Sequence, residues 1–492
     1  MATPTDLTDL KRKSVRGGAV SLASQGASLA IHTVSTVVLA RLLTPDDFGI
    51  VAMVGAVTAF AGVFRDLGLS AAAIQMKDLT HAQQSTLFWV NVATGAMLTG
   101  GLAAASPIVA WFYGKSELIT LTIALSLSFL IASFGTQHGA SLARNLQFGR
   151  LAVATLSGAV VGLAVSIGLA FYGARYWALV WGGLAGGLTG TLLRFCLSEF
   201  RPNWPTRGTG MRKMLRFGAN VTGFDVVNYF ARNLDNILIG RVWGDAVLGL
   251  YSRAYALLMF PIHNLRNPIQ SVAFPAMSKL QHDPVAFRLY YRRITSLLAL
   301  LSMPISAFFF VASKPLVEVV LGSRWLGAAP IFSILAFPAF IQAPLSLNGL
   351  VQLSLGRGTR YFQIGAVSAV LVSIGFCVGV GWGAPGVAVS YGVITYASFI
   401  PLLAWGFHKS PLCLRDFFSS ISRPAMASVT AAVAASGLRW LLPEAASTTV
   451  LASCAMVFAS VYLAVMSCLP SGRAELHWVL KTLNSSLRGQ TR

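Results

Sequence analysis

Charge is scarce in this chain. Only 11% of its 492 residues are Asp, Glu, Lys or Arg, against about a quarter in ordinary soluble domains. That shortage, with 55% hydrophobic residues and a mean hydropathy of +0.67, excludes a soluble globular protein. Alternation at period 2 is missing from the apolar stretches, which run unbroken, and this excludes a membrane β-barrel. Cysteines are few, five and so odd in number (Cys196, Cys377, Cys413, Cys454, Cys468), with no CxxC pair. Neither a disulfide framework nor a zinc site follows. Walker A, HExxH and GxSxG motifs are absent, so the sequence names no catalytic set and no metal site. Long polar loops are lacking too, which leaves no room for a soluble catalytic or ATP-hydrolysing domain.

What the chain has in abundance is apolar runs of the length a helix needs to cross a bilayer, about 20 residues. They fall near 17–43, 47–75, 82–112, 116–140, 150–173 and 176–198, and, after a polar break, near 214–241, 247–278, 286–312, 328–353, 360–382, 385–407, 423–442 and 447–469. The reading is an all-α polytopic membrane protein of about 14 transmembrane helices. The first run follows Lys11-Arg12-Lys13 and is too long for the apolar core of a signal peptide; it reads as a retained transmembrane helix.

The formal net charge of +21 does not form a nucleic-acid surface, because the basic residues are scattered between the spans. Of the 37 lysines and arginines, 26 fall in loops on the N-terminal side and 7 in the opposite loops. Four more, Arg65, Arg232, Arg253 and Arg266, lie inside spans. A bias that keeps its sign through every loop supports the span count and places both termini in the cytoplasm. A missed span would have reversed it.

Residues 17–54 lie on 217–254 without a gap: Gly18/Gly218, Ala19/Ala219, Arg41/Arg241 and Gly49/Gly249 are identical, and "VVLARLL" meets "ILIGRVW". Six spans separate the copies, so the repeat is parallel. It predicts two six-helix lobes plus two C-terminal helices. The N-lobe is 1–198, a cytoplasmic linker follows at 199–213, and the C-lobe is 214–407. Residues 408–471 hold helices 13 and 14. Residues 472–492 form a cytoplasmic tail in which Leu476, Leu480, Leu483 and Leu487 share one face, an interfacial helix pattern.

Polar residues recur on the first two helices of each lobe. Asp225, Asn228, Arg232 and Asp235 share one face of span 7; Gln25, Ser28, His32 and Ser35 hold the equivalent places in span 1. Span 8 carries Arg253, His263, Asn264, Asn267 and Gln270, and span 2 carries the adjacent pair Arg65-Asp66. Such groups cost roughly 2.5–3.5 kcal/mol each in a bilayer and usually face a bundle interior or a watery cavity. Two readings stand for Arg65 and Arg266, which sit near the cytoplasmic edge: guanidinium groups that bind a phosphate in bidentate fashion, or side chains that snorkel to the interface. Arg253 has the same escape at the outer edge, and Arg232 and Asp235 can neutralise each other. Asp225 lies near the middle, where a cavity or interhelical role is favoured. In "TPDDFG" (44–49), Asp46 and Asp47 could serve a metal-assisted glycosyltransferase, but Thr44 as N-cap with Pro45 at the first position is the stronger reading.

"LARLLTPDDFGIVAMV" (39–54), "FRDLGLSAAAIQ" (64–75), "LGLYSRAYALLMFP" (248–261) and "NPIQSVAFPAMSKLQHDP" (267–284) closely resemble the Wzx-type polysaccharide flippases of the multidrug/oligosaccharidyl-lipid/polysaccharide exporter superfamily, most of all the succinoglycan and colanic acid branch. The resemblance implies a non-enzymatic transporter of the bacterial inner membrane. Two lobes would surround a cationic cavity that carries an undecaprenyl-pyrophosphate-linked oligosaccharide between leaflets by alternating access. It implies no cofactor beyond a coupling ion (H+ or Na+) or the membrane potential. The partners it implies are membrane lipids and the polymerase and chain-length or export proteins of a polysaccharide pathway, with no nucleic acid. Residues carried over by position are Arg65, Asp66, Asp225, Arg232, Arg253 and Arg266. A departure is that span 1 carries no charge between Arg16 and Arg41, only Gln25 and His32. Two other readings stay open: a drug/cation antiporter of the same superfamily, which predicts an acidic cavity, and a membrane glycosyltransferase or polymerase, which predicts a large outer loop.

Overall fold

The computed structural model describes residues 4–65, 80–205, 211–441, 446–469 and 472–473, with side chains described except at 4–16, 19, 22, 211–228 and 230–232. Every regular element among them is helical: α1 (Pro4–Leu42), α2 (Pro45–Val63), α3 (His81–Tyr113), α4 (Glu117–Arg144), α5 (Phe148–Phe171), α6 (Trp177–Leu197), α7 (Met211–Lys279), α8 (Pro284–Val311), the short α9 (Ser313–Val320), α10 (Ala328–Leu345), α11 (Leu347–Ser354), α12 (Gly358–Gly379), α13 (Gly383–Phe407), α14 (Leu414–Leu441) and α15 (Ser447–Cys468). Each predicted span finds a helix once α7 is divided at Gly244, where φ is +82°, and α10 is joined to α11. Only eight stretches among the described residues meet a plain length-and-hydropathy test, one of them holding both α12 and α13. Helices α1, with Gln25, His32 and its serines and threonines, and α6, with its glycines and Arg194, are long enough to span but less apolar. The tail expected at 472–492 lies outside the described residues except for its first two positions.

The chain divides into two compact units, Met1–Gly249 and Leu250–Arg492. The first therefore takes in the front of α7. Several contacts hold it there. The Tyr229 hydroxyl donates to the Ala56 carbonyl, and the Phe60 ring lies 5.3 Å from that of Tyr229. Lys115 Nζ meets Asp245 Oδ2 at 2.6 Å.

Helix α2 begins as its sequence dictates. Asp47 accepts from the Thr44 N–H at 3.1 Å and hydroxyl at 2.9 Å, Thr44 caps the helix in return, and Pro45 fills the first turn. Arg175 lies 3.4 Å from the buried Asp47 carboxylate. The acids of "TPDDFG" thus serve the helix terminus, and no group of three His, Cys, Asp or Glu among the described residues could hold a metal ion.

Helices α5 and α6 approach through glycine. A Cβ on Gly158 would lie 2.7 Å from the Gly186 carbonyl oxygen, one on Gly186 2.7 Å from that of Gly158, and one on Gly162 2.9 Å from that of Gly182. Four-residue spacing of small residues lets backbones touch where lipid supplies no hydrophobic drive.

In the second unit the core gathers Tyr291, Leu298, Leu403, Phe407 and Phe417 from α8, α13 and α14. A second cluster packs Ala427, Ala431 and Ala435 of α14 against Cys454 and Phe458 of α15. At one end, ahead of the apolar run of α14, Arg288 Nε donates to the buried Asp416 at 2.7 Å. Burial alone would raise the Asp416 carboxyl, but the Arg288 hydrogen bond and the Cys413 N–H outweigh it and hold it below the usual carboxylate range. Arg357 and Arg360 close the end of α13 by donating to the His408 carbonyl. Burial, and Arg360 beside it, lower the Arg357 guanidinium from its ordinary value.

Candidate substrate-binding site

Within the first unit α1, α4, α5 and α6 enclose a cavity of 560 Å³. Its walls follow from their sequences. Helix α1 turns Ser28, His32 and Ser35 toward it, the face predicted from the spacing, while α5 and α6 contribute Thr155, Ser166, Thr191 and the glycine ridge. Among the described residues its one charged lining residue is Arg194, in the last turn of α6. The wall is otherwise glycine and apolar side chains with a scatter of hydroxyl groups, so it is mostly apolar with a few hydrogen-bonding points.

The predicted site residues are distributed as follows. His32 lines the cavity; Gln25, one face further on, is exposed and donates to Ser21 Oγ at 3.4 Å. Asp235 is buried and accepts the Asn236 N–H at 2.8 Å. Arg65 corrects the sequence reading: helix α2 ends at Val63, and Arg65 lies exposed just past it. The chain tightens there, with the Phe64 and Arg65 N–H groups donating to Ala61 and Gly62. Asp66 and the side chains of Asp225, Asn228 and Arg232 lie outside the described residues. In the second unit Arg253 and Arg266 are half-buried, Asn267 is exposed, and Gln270 Nε2 donates to Ser346 Oγ at 2.9 Å.

Arg194 escaped the sequence reading because it was counted with the linker's basic residues, whereas α6 continues to Leu197. Glycines at 158, 162, 182, 186 and 190 were the available signal for a close-packed wall. His138 was also missed. It is fully buried beside the rings of Phe88, Phe195 and Phe200, and neither ring nitrogen has a hydrogen-bond partner among the described residues.

Residues 38–330 match the family model described as polysaccharide biosynthesis protein. The chain belongs to that family. It is 30% identical to the teichuronic acid biosynthesis protein TuaB of Bacillus subtilis, over 77% of this chain and 80% of that one. Identity to the lipopolysaccharide biosynthesis protein WzxC of Escherichia coli is 25%, over 68% of each chain. To the succinoglycan biosynthesis transport protein ExoT of Rhizobium meliloti it is 24%, over 78% and 75%. Among solved structures, the lipid II flippase MurJ superposes with a TM-score of 0.74 at 12% identity, covering 92% of this chain and 98% of that one. An inward-facing multidrug transporter of the MATE family superposes at 0.56 and 13% identity, over 78% and 94%. The fold is therefore that of the multidrug/oligosaccharidyl-lipid/polysaccharide exporter superfamily, and the expected family resemblance holds for this multi-pass membrane protein.

Proposed function

We propose that this member of the polysaccharide biosynthesis family flips undecaprenyl-pyrophosphate-linked oligosaccharide repeat units across the bacterial inner membrane, with both termini cytoplasmic. The two six-helix lobes of the sequence repeat would alternate access, and a coupling ion or the membrane potential would drive any uphill transport. No covalent step is involved, and the polymerase of the pathway would receive the product. The family match carries this reading. The lining of the first unit's cavity supports it, since among the described residues hydroxyl groups and one arginine, with no acid, suit a glycan and an anion better than a drug cation.

The test is deletion of the gene in its native host, with analysis of lipid-linked intermediates. Complete repeat units should accumulate in the cytoplasmic leaflet. Undersized units would indicate a glycosyltransferase instead, and intact polymer with normal intermediates would defeat both readings.

A further inference from the structure

Two cavities of the second unit adjoin. The first, of 450 Å³, lies between α8, α10, α13 and α14, and its wall is largely apolar, with Phe337, Phe340, Val429 and Val433 among its residues. The second, of 680 Å³, lies where α8 and α14 end and is bordered by Ser313, Ser333, Arg439 and Trp440. Phe310, Val311 and Ser436 line both, so the two form one groove with an apolar body and a polar, cationic head. Phe337, Val429, Val433 and Trp440 are exposed, and in a multi-pass membrane protein such a surface meets lipid.

Two observations point to what fills it. At the head, Arg439 in the last turn of α14 donates through Nη1 to the Val311 carbonyl at 2.6 Å. That bond fixes the guanidinium over the mouth of the groove, and no carboxylate among the described residues pairs with it. A guanidinium so held takes phosphate oxygens through charge-assisted hydrogen bonds.

Deeper in, Ser306 of α8 lines the apolar wall, fully buried, and its hydroxyl has no hydrogen-bond partner among the described residues. Helical serines ordinarily bond the carbonyl one turn back, as Ser302 does to Leu298 at 2.7 Å. Other polar groups of the wall are taken up: the Tyr396 hydroxyl donates to the Phe337 carbonyl and Ser333 to that of Phe310. A buried hydroxyl left unmade is costly, so Ser306 calls for an acceptor within the groove. It lies five residues from Val311 on the same helix, a rise of about 7.5 Å. That is comparable to the reach from a lipid phosphate through glycerol to an ester carbonyl.

We infer that this groove binds an anionic diacyl phospholipid. Its phosphate sits at Arg439, an ester carbonyl accepts from Ser306, and an acyl chain lies along Phe337, Phe340, Val429 and Val433. The lining has no acid among the described residues to receive the ammonium of a zwitterionic headgroup, which sets the preference for negative charge. A polyprenyl phosphate has no ester carbonyl and would leave Ser306 unmatched. The site belongs to the second unit alone and stands apart from the flippase reading.

The experiment titrates the full-length, delipidated protein in detergent with lipids and counts bound lipid by native mass spectrometry. The probes are phosphatidylglycerol, its diether analogue, phosphatidylcholine and undecaprenyl phosphate; the proteins are wild type, R439Q and S306A. R439Q should weaken phosphatidylglycerol binding about tenfold or more, as loss of a charged hydrogen bond does. S306A should weaken the diester about threefold to tenfold and leave the diether unchanged. Phosphatidylcholine should bind wild type more weakly than phosphatidylglycerol. Thermal unfolding separates lost binding from lost folding, and S306A with the ester and ether lipids supplies the reading should R439Q not fold. Wild-type affinity for phosphatidylglycerol in S306A, or in a folded R439Q, overturns the site. Tighter binding of undecaprenyl phosphate than of phosphatidylglycerol, lost in R439Q, would overturn it in favour of a polyprenyl ligand.

Discussion

Gly49 and Gly249 occupy reciprocal positions: a Cβ on Gly49 would strike the carbonyl of Asp245, and a Cβ on Gly249 would strike the carbonyl of Pro45. The contacts obey the same 200-residue offset that the sequence repeat shows. The two identical glycines are therefore required by close backbone approach. Gly49→Ala or Gly249→Ala forces backbone apart, and overpacking of this kind costs about 1–3 kcal/mol. Each variant should unfold at a lower temperature in detergent than wild type, whereas Gly55→Ala, with open space around it, should not.

Thr44 is tied to Asp47 by both halves of a capping box. Thr44→Ala should cost about 1 kcal/mol, and Thr44→Ser should recover most of it. Equal thermal stability of all three proteins would mean that neighbouring contacts, not the cap, hold the start of α2.

The Arg288–Asp416 pair sets a pH dependence. The folded Asp416 carboxyl sits below its unfolded value of about 4. Its contribution is therefore complete above that value and is lost as pH falls through the depressed folded value. Asp416→Asn should lower the melting temperature at pH 7, and the gap from wild type should narrow steadily below about pH 4. A gap independent of pH would assign the loss to packing.

The ridge between α5 and α6 tolerates no side chain at Gly158 or Gly186. Valine at either should wedge the helices apart at a cost of about 1–3 kcal/mol. Polysaccharide export should fall with it, in contrast to valine at Gly168, which faces open space. Export assays on the three variants, normalised to the amount of protein in the membrane, would measure this.

Arg65→Ala and Arg266→Ala, introduced separately into a deletion strain, should restore export poorly if their guanidinium groups meet the cargo. Full restoration by both would reduce them to snorkelling anchors.

Much of this architecture was legible in the residues. Apolar run length and the one-sided lysine and arginine bias gave the spans because membrane helices must satisfy their own backbone and tolerate little charge. Thr44, Pro45 and Asp47 announced the start of α2 because capping is a local interaction. The end of α2 was not legible. No glycine or proline marks Phe64, and apolar residues continue beyond it, so Arg65 read as lying inside a helix that in fact stops short. Arg194 was hidden for a different reason: the run read as 176–198 already contains it, but its place near the end of that run put its charge with the basic residues of the following loop rather than with the helix, which carries it in its last turn. His138 was illegible because its neighbours Phe195 and Phe200 come from a distant stretch of chain.

The glycine-built wall of the cavity has a genetic consequence. Where α5 and α6 line the cavity, much of what a cargo bound there would meet is peptide group, which is the same whatever the encoded residue. Truncating substitutions cannot reveal that surface, since nothing remains there to truncate, and it offers little chemistry by which one sugar could be told from another. Cargo preference should then be written in α1 and α4, and exchanging those two helices between relatives is where a change of glycan would be inherited.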